Sequence, residues 1–121
     1  MSALLKAAVI GVGAMGRNHA RVYDEMSQTS LVGVADAQWD TVTSIAQKHD
    51  VRAYADYRDL LERERPDIVT VAVPTRDHRA VAEAAMRAGT HVLVEKPIAA
   101  TLAEGQAMID AVRRLRSGGP R

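Results

Sequence analysis

Three glycines, Gly11, Gly13 and Gly16, stand in the spacing G-x-G-x-x-G, and a carboxylate, Asp36, follows 20 residues after the last of them. Residues of these types at these intervals can hold a diphosphate and a ribose. Gly11 permits a sharp turn, Gly13 removes a side chain that would keep the backbone away from a phosphate, and Gly16 lets a helix lie close to a strand. Free N–H groups and the positive dipole end of that helix, at Ala14 and Met15, would then face the anion. Asp36 can accept both hydroxyls of an adenosine ribose and would repel a 2′-phosphate, so NAD is expected in preference to NADP. The competing reading is a strand–helix turn whose glycines serve packing alone, with an incidental surface acid. Context decides between them, because the motif carries weight only where a strand precedes it and a helix follows.

That context is present. Apolar runs of strand length alternate with segments of helical period, the pattern of βαβ units and a mainly parallel sheet. The first run, Lys6 to Val12, leads into the glycines, and His19, Val22, Tyr23 and Met26 then recur at helical spacing. A second run, Leu31 to Ala35, stops at Asp36 and precedes an amphipathic helix marked by Trp39, Val42, Ile45, Ala46 and His49. A short third strand is expected at Val51 to Tyr54, followed by a helix from Tyr57 to about Glu64 that Asp56 caps and Pro66 closes. The fourth run, Asp67 to Val73, is the most continuously β-branched and should lie centrally. Thr75 is expected to cap a helix from Arg76 to Ala88, with Gly89 at its left-handed end, and His91 to Glu95 forms the fifth strand. Thr101 and Glu104 match a capping box opening a last helix, and residues 117–121 form a tail. The expected fold is α/β, a doubly wound Rossmann sheet of order 3-2-1-4-5 in three layers, with residues 1–116 as one domain.

Composition narrows the function classes. A chain of 121 residues has room for one core, and with no Phe that core must be aliphatic. Its 16 basic and 15 acidic side chains leave no electrostatic footprint for nucleic acid or an anionic membrane. Charges interrupt every hydrophobic run before the roughly 20 apolar residues a bilayer span requires. The absence of cysteine rules out disulfides and thiolate metal sites, and with no secretory signal at Met1 to Lys6 it points to the cytoplasm. No His, Asp and Glu grouping has metal-site spacing, and no Ser or Cys nucleophile accompanies a base.

Two further segments carry a family resemblance. Val73-Pro-Thr-Arg-Asp-His78, after the fourth strand, and Val92-Leu-Val-Glu-Lys-Pro-Ile-Ala99, after the fifth, resemble the Gfo/Idh/MocA oxidoreductases, and the likeness runs from Lys6 to about Arg116. Within that family, Gly11 to Arg21 and Pro74 to His78 are most similar to the branch that includes UDP-N-acetylglucosamine 3-dehydrogenases. The resemblance implies that Pro74, Thr75 and His78 line the cofactor cleft, that Glu95 holds the nicotinamide ribose, and that Lys96 points to the reacting carbon of a sugar or UDP-sugar. An ammonium there can hydrogen-bond a substrate hydroxyl and stabilise charge as hydride moves. His78 has an equal alternative in capping the helix after Thr75. Met15 either packs against the nicotinamide side or fills the core, and Arg17 either reaches a phosphate or is a solvated helix charge. His19 and His49 read as packing residues and His91 as structural.

The family's enzymes continue into an α+β substrate domain that holds an Asp-x-x-x-His pair, and this domain is expected to be absent from the 121 residues. The chain should therefore bind cofactor far better than it turns over. Three roles follow: the cofactor domain of an NAD-dependent sugar dehydrogenase, a stand-alone NAD-binding sensor, or a self-associating scaffold. The last would use the uncovered edge beyond the fifth strand, where unpaired backbone groups favour a homodimer.

Overall fold

The computed structural model describes residues 4–94, and of Thr75, Arg76, His78 and Val94 the backbone only. Its elements alternate strictly: β1 (Leu5–Ile10), α1 (Ala14–Glu25), β2 (Thr29–Ala35), α2 (Trp39–His49), β3 (Arg52–Tyr54), α3 (Tyr57–Glu64), β4 (Ile68–Val71), α4 (Thr75–Arg87) and β5 (His91–Val94). The sheet runs β3-β2-β1-β4-β5, with every described pairing parallel. The doubly wound α/β order expected from the sequence is the order observed.

Period-two alternation divides β1 between two cores. Leu5, Ala7 and Val9 pack with α1 and α2 residues such as Val22, Tyr23, Val42 and Ile45, while Ala8 and Ile10 pack with Leu60, Leu61, Val81 and Ala85 of α3 and α4. Side chains on both faces of so short a strand are buried, which is why the central runs are continuously apolar. In β2, Leu31 and Val34 share one face although three residues apart. The ladder slips between Ala7 and Ala8, pairing Ala7 with Leu31 and Ala8 with Gly33, so Val32 is a bulge that restores the alternation.

Several boundaries differ from the sequence reading for local reasons. β2 begins two residues early, at Thr29, whose hydroxyl donates to the Tyr23 carbonyl at 2.6 Å and anchors the strand start under α1. β4 is shorter than the run 67–73, because Asp67 turns its carboxylate to the Lys6 amide (2.8 Å) and Ala72 and Val73 already lie in the loop beyond the ladder. Thr75 is not the cap of α4 but its first residue; Pro74, with φ −52° and ψ 147°, takes the cap position, and no side chain bonds there. Proline needs no N–H at such a boundary and fixes the entry angle.

Other local signals act as the residues predict. Asp56 accepts from the Arg58 amide at the start of α3. Arg65 ends that helix in the left-handed region just before Pro66. Gly89, at φ +82°, closes α4 with amide bonds from Gly89 to Met86 O and from Thr90 to Ala85 O, the paired Schellman pattern. The expected last helix and its capping box, the tail at 117–121, and the domain boundary at 116 lie outside the described residues.

Candidate functional site

Because all strands run the same way in register, their carboxyl ends form one row. Tyr54 pairs with Ala35, Ala35 with Ile10, Ile10 with Val71, and Val71 with Val94. The chain runs outward from β1 to β2 and β3, then returns to place β4 on the other flank of β1. Connections after β1 and β4 thus diverge to opposite faces, and a crevice opens between them. Gly11 to Met15 leave from one side of that crevice and Ala72 to Pro74 from the other.

The three glycines do different work. Gly11 has φ +96°, and a Cβ there would lie 2.5 Å from the Ala72 carbonyl oxygen, so both backbone and crowding demand glycine. At Gly16 a Cβ would stand 1.7 Å from the Gly11 carbonyl oxygen and 3.5 Å from Val9 Cγ1; the helix is pressed against the loop even more than against the strand. Gly13 differs from both. It is exposed, has an ordinary φ of −68°, and a Cβ there would meet nothing of this chain within 4 Å. Nothing in the fold requires glycine at that position, so its small size leaves room for something outside the chain.

Val12 between them is fixed on three sides. Its side chain is fully buried, an anchorage of about 1.5–3 kcal/mol. Its amide donates to Asp36 Oδ2 at 2.8 Å, and its carbonyl accepts from Arg17 Nε at 3.1 Å. Asp36 Oδ1 accepts from the Gln38 amide at 2.8 Å, so the carboxylate is oriented by one bond to the loop and one to the turn before α2. Each oxygen retains a lone pair for a further donor. Asp36 therefore holds the loop as well as facing its crevice, and sequence reasoning missed that first task.

The start of α1 is electrostatically unlike the other helices. α2, α3 and α4 carry Asp40, Asp59 and Asp77 in their first turns, whereas α1 carries no acid there; like α2 and α4 it has no side-chain cap, and its fourth residue is Arg17. An acid at that place would stabilise the helix by about 0.3–1 kcal/mol, and a cation opposes its dipole. The first intrahelical amide bond, Arg17 N to Gly13 O, leaves the N–H groups of Ala14, Met15 and Gly16 without an intrahelical acceptor.

The remaining expected residues fall unevenly. Ala14 is exposed and Met15 half-buried on the first turn of α1, and Pro74 is exposed at the opposite lip. Thr75 and His78 lie in the first turn of α4, but their side chains lie outside the described set, as do Glu95 and Lys96 altogether. His19 is buried, as a packing residue should be, yet it also bonds: its Nδ1 lies 3.1 Å from Thr70 Oγ1, which the Tyr23 hydroxyl meets at 2.7 Å. His49 is more than packing too, since its Nδ1 lies 2.8 Å from Asp24 and ties α2 to α1. A separate cleft of about 660 Å³ between α3 and α4, lined by Arg58, Arg65, Arg87, Glu62 and Asp67 among others, opens at the amino ends of the strands. It lies on the far side of the sheet's row of functional ends. Among the described residues no helix is long and apolar enough to cross a membrane.

A parallel sheet of this order, with a glycine loop feeding a helix at its switch point and an acid at the end of the next strand, is a dinucleotide-binding Rossmann domain. The chain belongs to the Gfo/Idh/MocA family: residues 5–117 match the family model described as an oxidoreductase family with an NAD-binding Rossmann fold. It is 40% identical over 105 residues to UDP-N-acetylglucosamine 3-dehydrogenase of Acidithiobacillus ferrooxidans, covering 87% of this chain and 32% of that protein. It is 32% identical over 113 residues to inositol 2-dehydrogenase of Salmonella typhimurium, covering 91% and 34%. Among solved structures, GenD2 from gentamicin A biosynthesis in complex with NAD superposes with a TM-score of 0.75 at 29% identity, covering 94% of this chain and 33% of GenD2. The chain thus spans about a third of the length of the relatives it matches.

Proposed function

We propose that this chain is the cofactor-holding part of an NAD-dependent dehydrogenase acting on a sugar or nucleotide sugar, and that NAD is bound in preference to NADP. The observation that carries the reading is Gly13: a glycine the fold does not need, at an uncapped helix start, beside an acid held by the same loop. The open amides of Ala14 and Met15 take the pyrophosphate. Asp36 accepts from the adenosine ribose with the lone pairs its two amide bonds leave over, and its charge disfavours a 2′-phosphate. NAD, when bound, supplies the hydride acceptor. By resemblance, Pro74, Thr75 and His78 line the nicotinamide side of the cleft, Glu95 holds its ribose, and Lys96 hydrogen-bonds the substrate hydroxyl. A nucleotide sugar is the preferred substrate class because a UDP-N-acetylglucosamine 3-dehydrogenase is among the similar relatives. These 121 residues alone should bind cofactor without turning over sugar, since one wall of a cleft neither excludes water nor fixes a substrate.

The test is calorimetric titration of the chain and of Asp36→Ala with NAD and NADP. NAD should bind more tightly to the parent. The substitution should weaken NAD about tenfold or more, since it removes a charged acceptor and frees the Val12 amide. The gap between the two cofactors should narrow. Equal parental affinity for both would overturn the role given to Asp36, and absence of binding would overturn the whole reading.

A further inference from the structure

We infer that the buried cluster of His19, Tyr23 and Thr70 positions α1 for the cofactor, an inference that rests on the NAD reading and concerns side chains that never touch the ligand. His19 and Tyr23 lie one turn apart on α1 and Thr70 lies on β4; the three residues are 4%, 3% and 0% exposed. The Thr70 hydroxyl meets His19 Nδ1 at 3.1 Å and the Tyr23 hydroxyl at 2.7 Å. Around them the core is apolar, with Val9, Ala20, Val22 and Ile68 in the same cluster. Dispersion contacts of that kind tolerate a slide of the helix, whereas two hydrogen bonds converging on one oxygen do not. Valine would fill the place of Thr70 in a β-branched run without the cost of burying three polar side chains together. Packing alone therefore does not account for the hydroxyl.

The cluster stands between the two sides of the crevice. Gly16, His19 and Tyr23 follow one another along the buried stripe of α1. Gly16 presses on the Gly11 carbonyl, and Gly11 in turn on the carbonyl of Ala72, two residues beyond Thr70. The glycine loop, the start of α1 and Asp36 form one unit, joined by the Val12 amide bond to Asp36 and the Arg17 bond to the Val12 carbonyl. β4 and the lip at Ala72 to Pro74 form the other, and the bonds to Thr70 cross from the first to the second. A ligand confined to the first unit, such as adenosine diphosphate, is indifferent to how α1 sits over β4. A whole dinucleotide is held from both sides, and since a hydrogen bond is lost within about 0.6 Å of its usual length, it feels a slide of α1. The cluster thus acts through α1 on the placement of the nicotinamide half.

The experiment compares the chain with Thr70→Val, Thr70→Ser and Tyr23→Phe, each titrated with NAD and with ADP well below its melting temperature. Thr70→Val removes the hydroxyl and keeps the shape; Thr70→Ser keeps the hydroxyl and removes a buried methyl, so both should melt about 5 °C or more below the parent. Affinity should follow the hydroxyl and not the stability. Thr70→Val should weaken NAD about tenfold and leave ADP within about twofold, whereas Thr70→Ser should leave both within about twofold. Tyr23→Phe withdraws one of the two bonds and should weaken NAD about threefold with ADP unchanged; it carries the test alone should Thr70→Val fail to fold. Three results would mean that the cluster only stabilises the fold, and each would overturn the inference: Thr70→Ser losing as much NAD affinity as Thr70→Val, NAD and ADP weakened equally by removal of the hydroxyl, or NAD affinity unchanged by it. Those results leave the NAD reading standing, whereas a parent chain that binds neither NAD nor ADP would overturn both.

Discussion

Gly13→Ala and Gly16→Ala should separate what the glycine motif does for the fold from what it does for a ligand. At Gly16 the new Cβ would meet a backbone oxygen at 1.7 Å, and the Gly11 carbonyl would have to retreat by about 1.3 Å to reach even the 3.0 Å that real Cβ contacts respect. Gly11 cannot move freely, because its φ of +96° and its contact with Ala72 are already special, and its amide bonds Ala35 O at 2.7 Å. Overpacking costs typically 1–3 kcal/mol where side chains can yield; with backbone on both sides about 3 kcal/mol or more is expected, a fall in melting temperature of about 10 °C. At Gly13 the added methyl meets nothing, and its φ and ψ suit alanine. Reduced unfolded-state entropy, about 0.4–1 kcal/mol in favour, roughly offsets alanine's poorer capping. Stability should stay within about 1 kcal/mol, while NAD affinity falls about 10- to 100-fold as a phosphate is pushed off its amides. Thermal or urea unfolding paired with NAD titration reads both effects. The reasoning is refuted if Gly13→Ala melts as low as Gly16→Ala, or if it binds NAD as tightly as the parent.

Two further outcomes test the surroundings of the site. Thr70→Val keeps the shape of β4 but withdraws the hydroxyl that His19 and Tyr23 share, so each of these buried side chains loses one hydrogen bond; urea unfolding should show a loss of about 1–3 kcal/mol for the two bonds, and no loss would mean the cluster is inert. The Arg58 side chain and amide hold the Asp56 carboxyl below the usual carboxylate range, so its capping contribution is fully present above that range and is lost as pH falls through the lowered value beneath it. Asp56→Ala should therefore cost about 1 kcal/mol at neutral pH and progressively less as pH falls below the usual carboxylate range, and a cost independent of pH would show that the charge is irrelevant.

What could be read from the residues in order is local or periodic. Alternating apolar runs fix the strands, Asp56 and Gly89 mark helix ends through bonds to residues two to five positions away, and Asp36 is placed by the end of its strand. What could not be read depends on partners remote in sequence. Asp36 reaches back to the Val12 amide, 24 residues away, and His19 meets Thr70 across 51. A threonine in a β-branched run looks like any strand former, and nothing in the sequence near Thr70 announces that α1 will lay a histidine and a tyrosine against it. Thr75 reads as a cap because threonine has the oxygen a cap requires, yet Pro74, one residue earlier, takes the position through its fixed φ alone.

A binding site can show itself in a structure through the groups its fold leaves unused. The fold satisfies its own groups nearly everywhere. Thr29 and Thr90 hydroxyls find carbonyls, the Tyr54 hydroxyl finds Glu64, and the Lys6 ammonium finds the Glu64 carbonyl. Around the crevice the accounting stays open: a helix start with neither a side-chain cap nor an acid, a glycine with no neighbour, and a carboxylate with lone pairs to spare. Each of these taken alone is a small defect of the kind natural helices tolerate. Their convergence within a few residues of Val12, itself immobilised from three sides, is what a packing explanation does not provide. Rigid placement of groups the chain leaves unsatisfied is the arrangement that lowers the cost of binding, because the ligand then orders little on arrival.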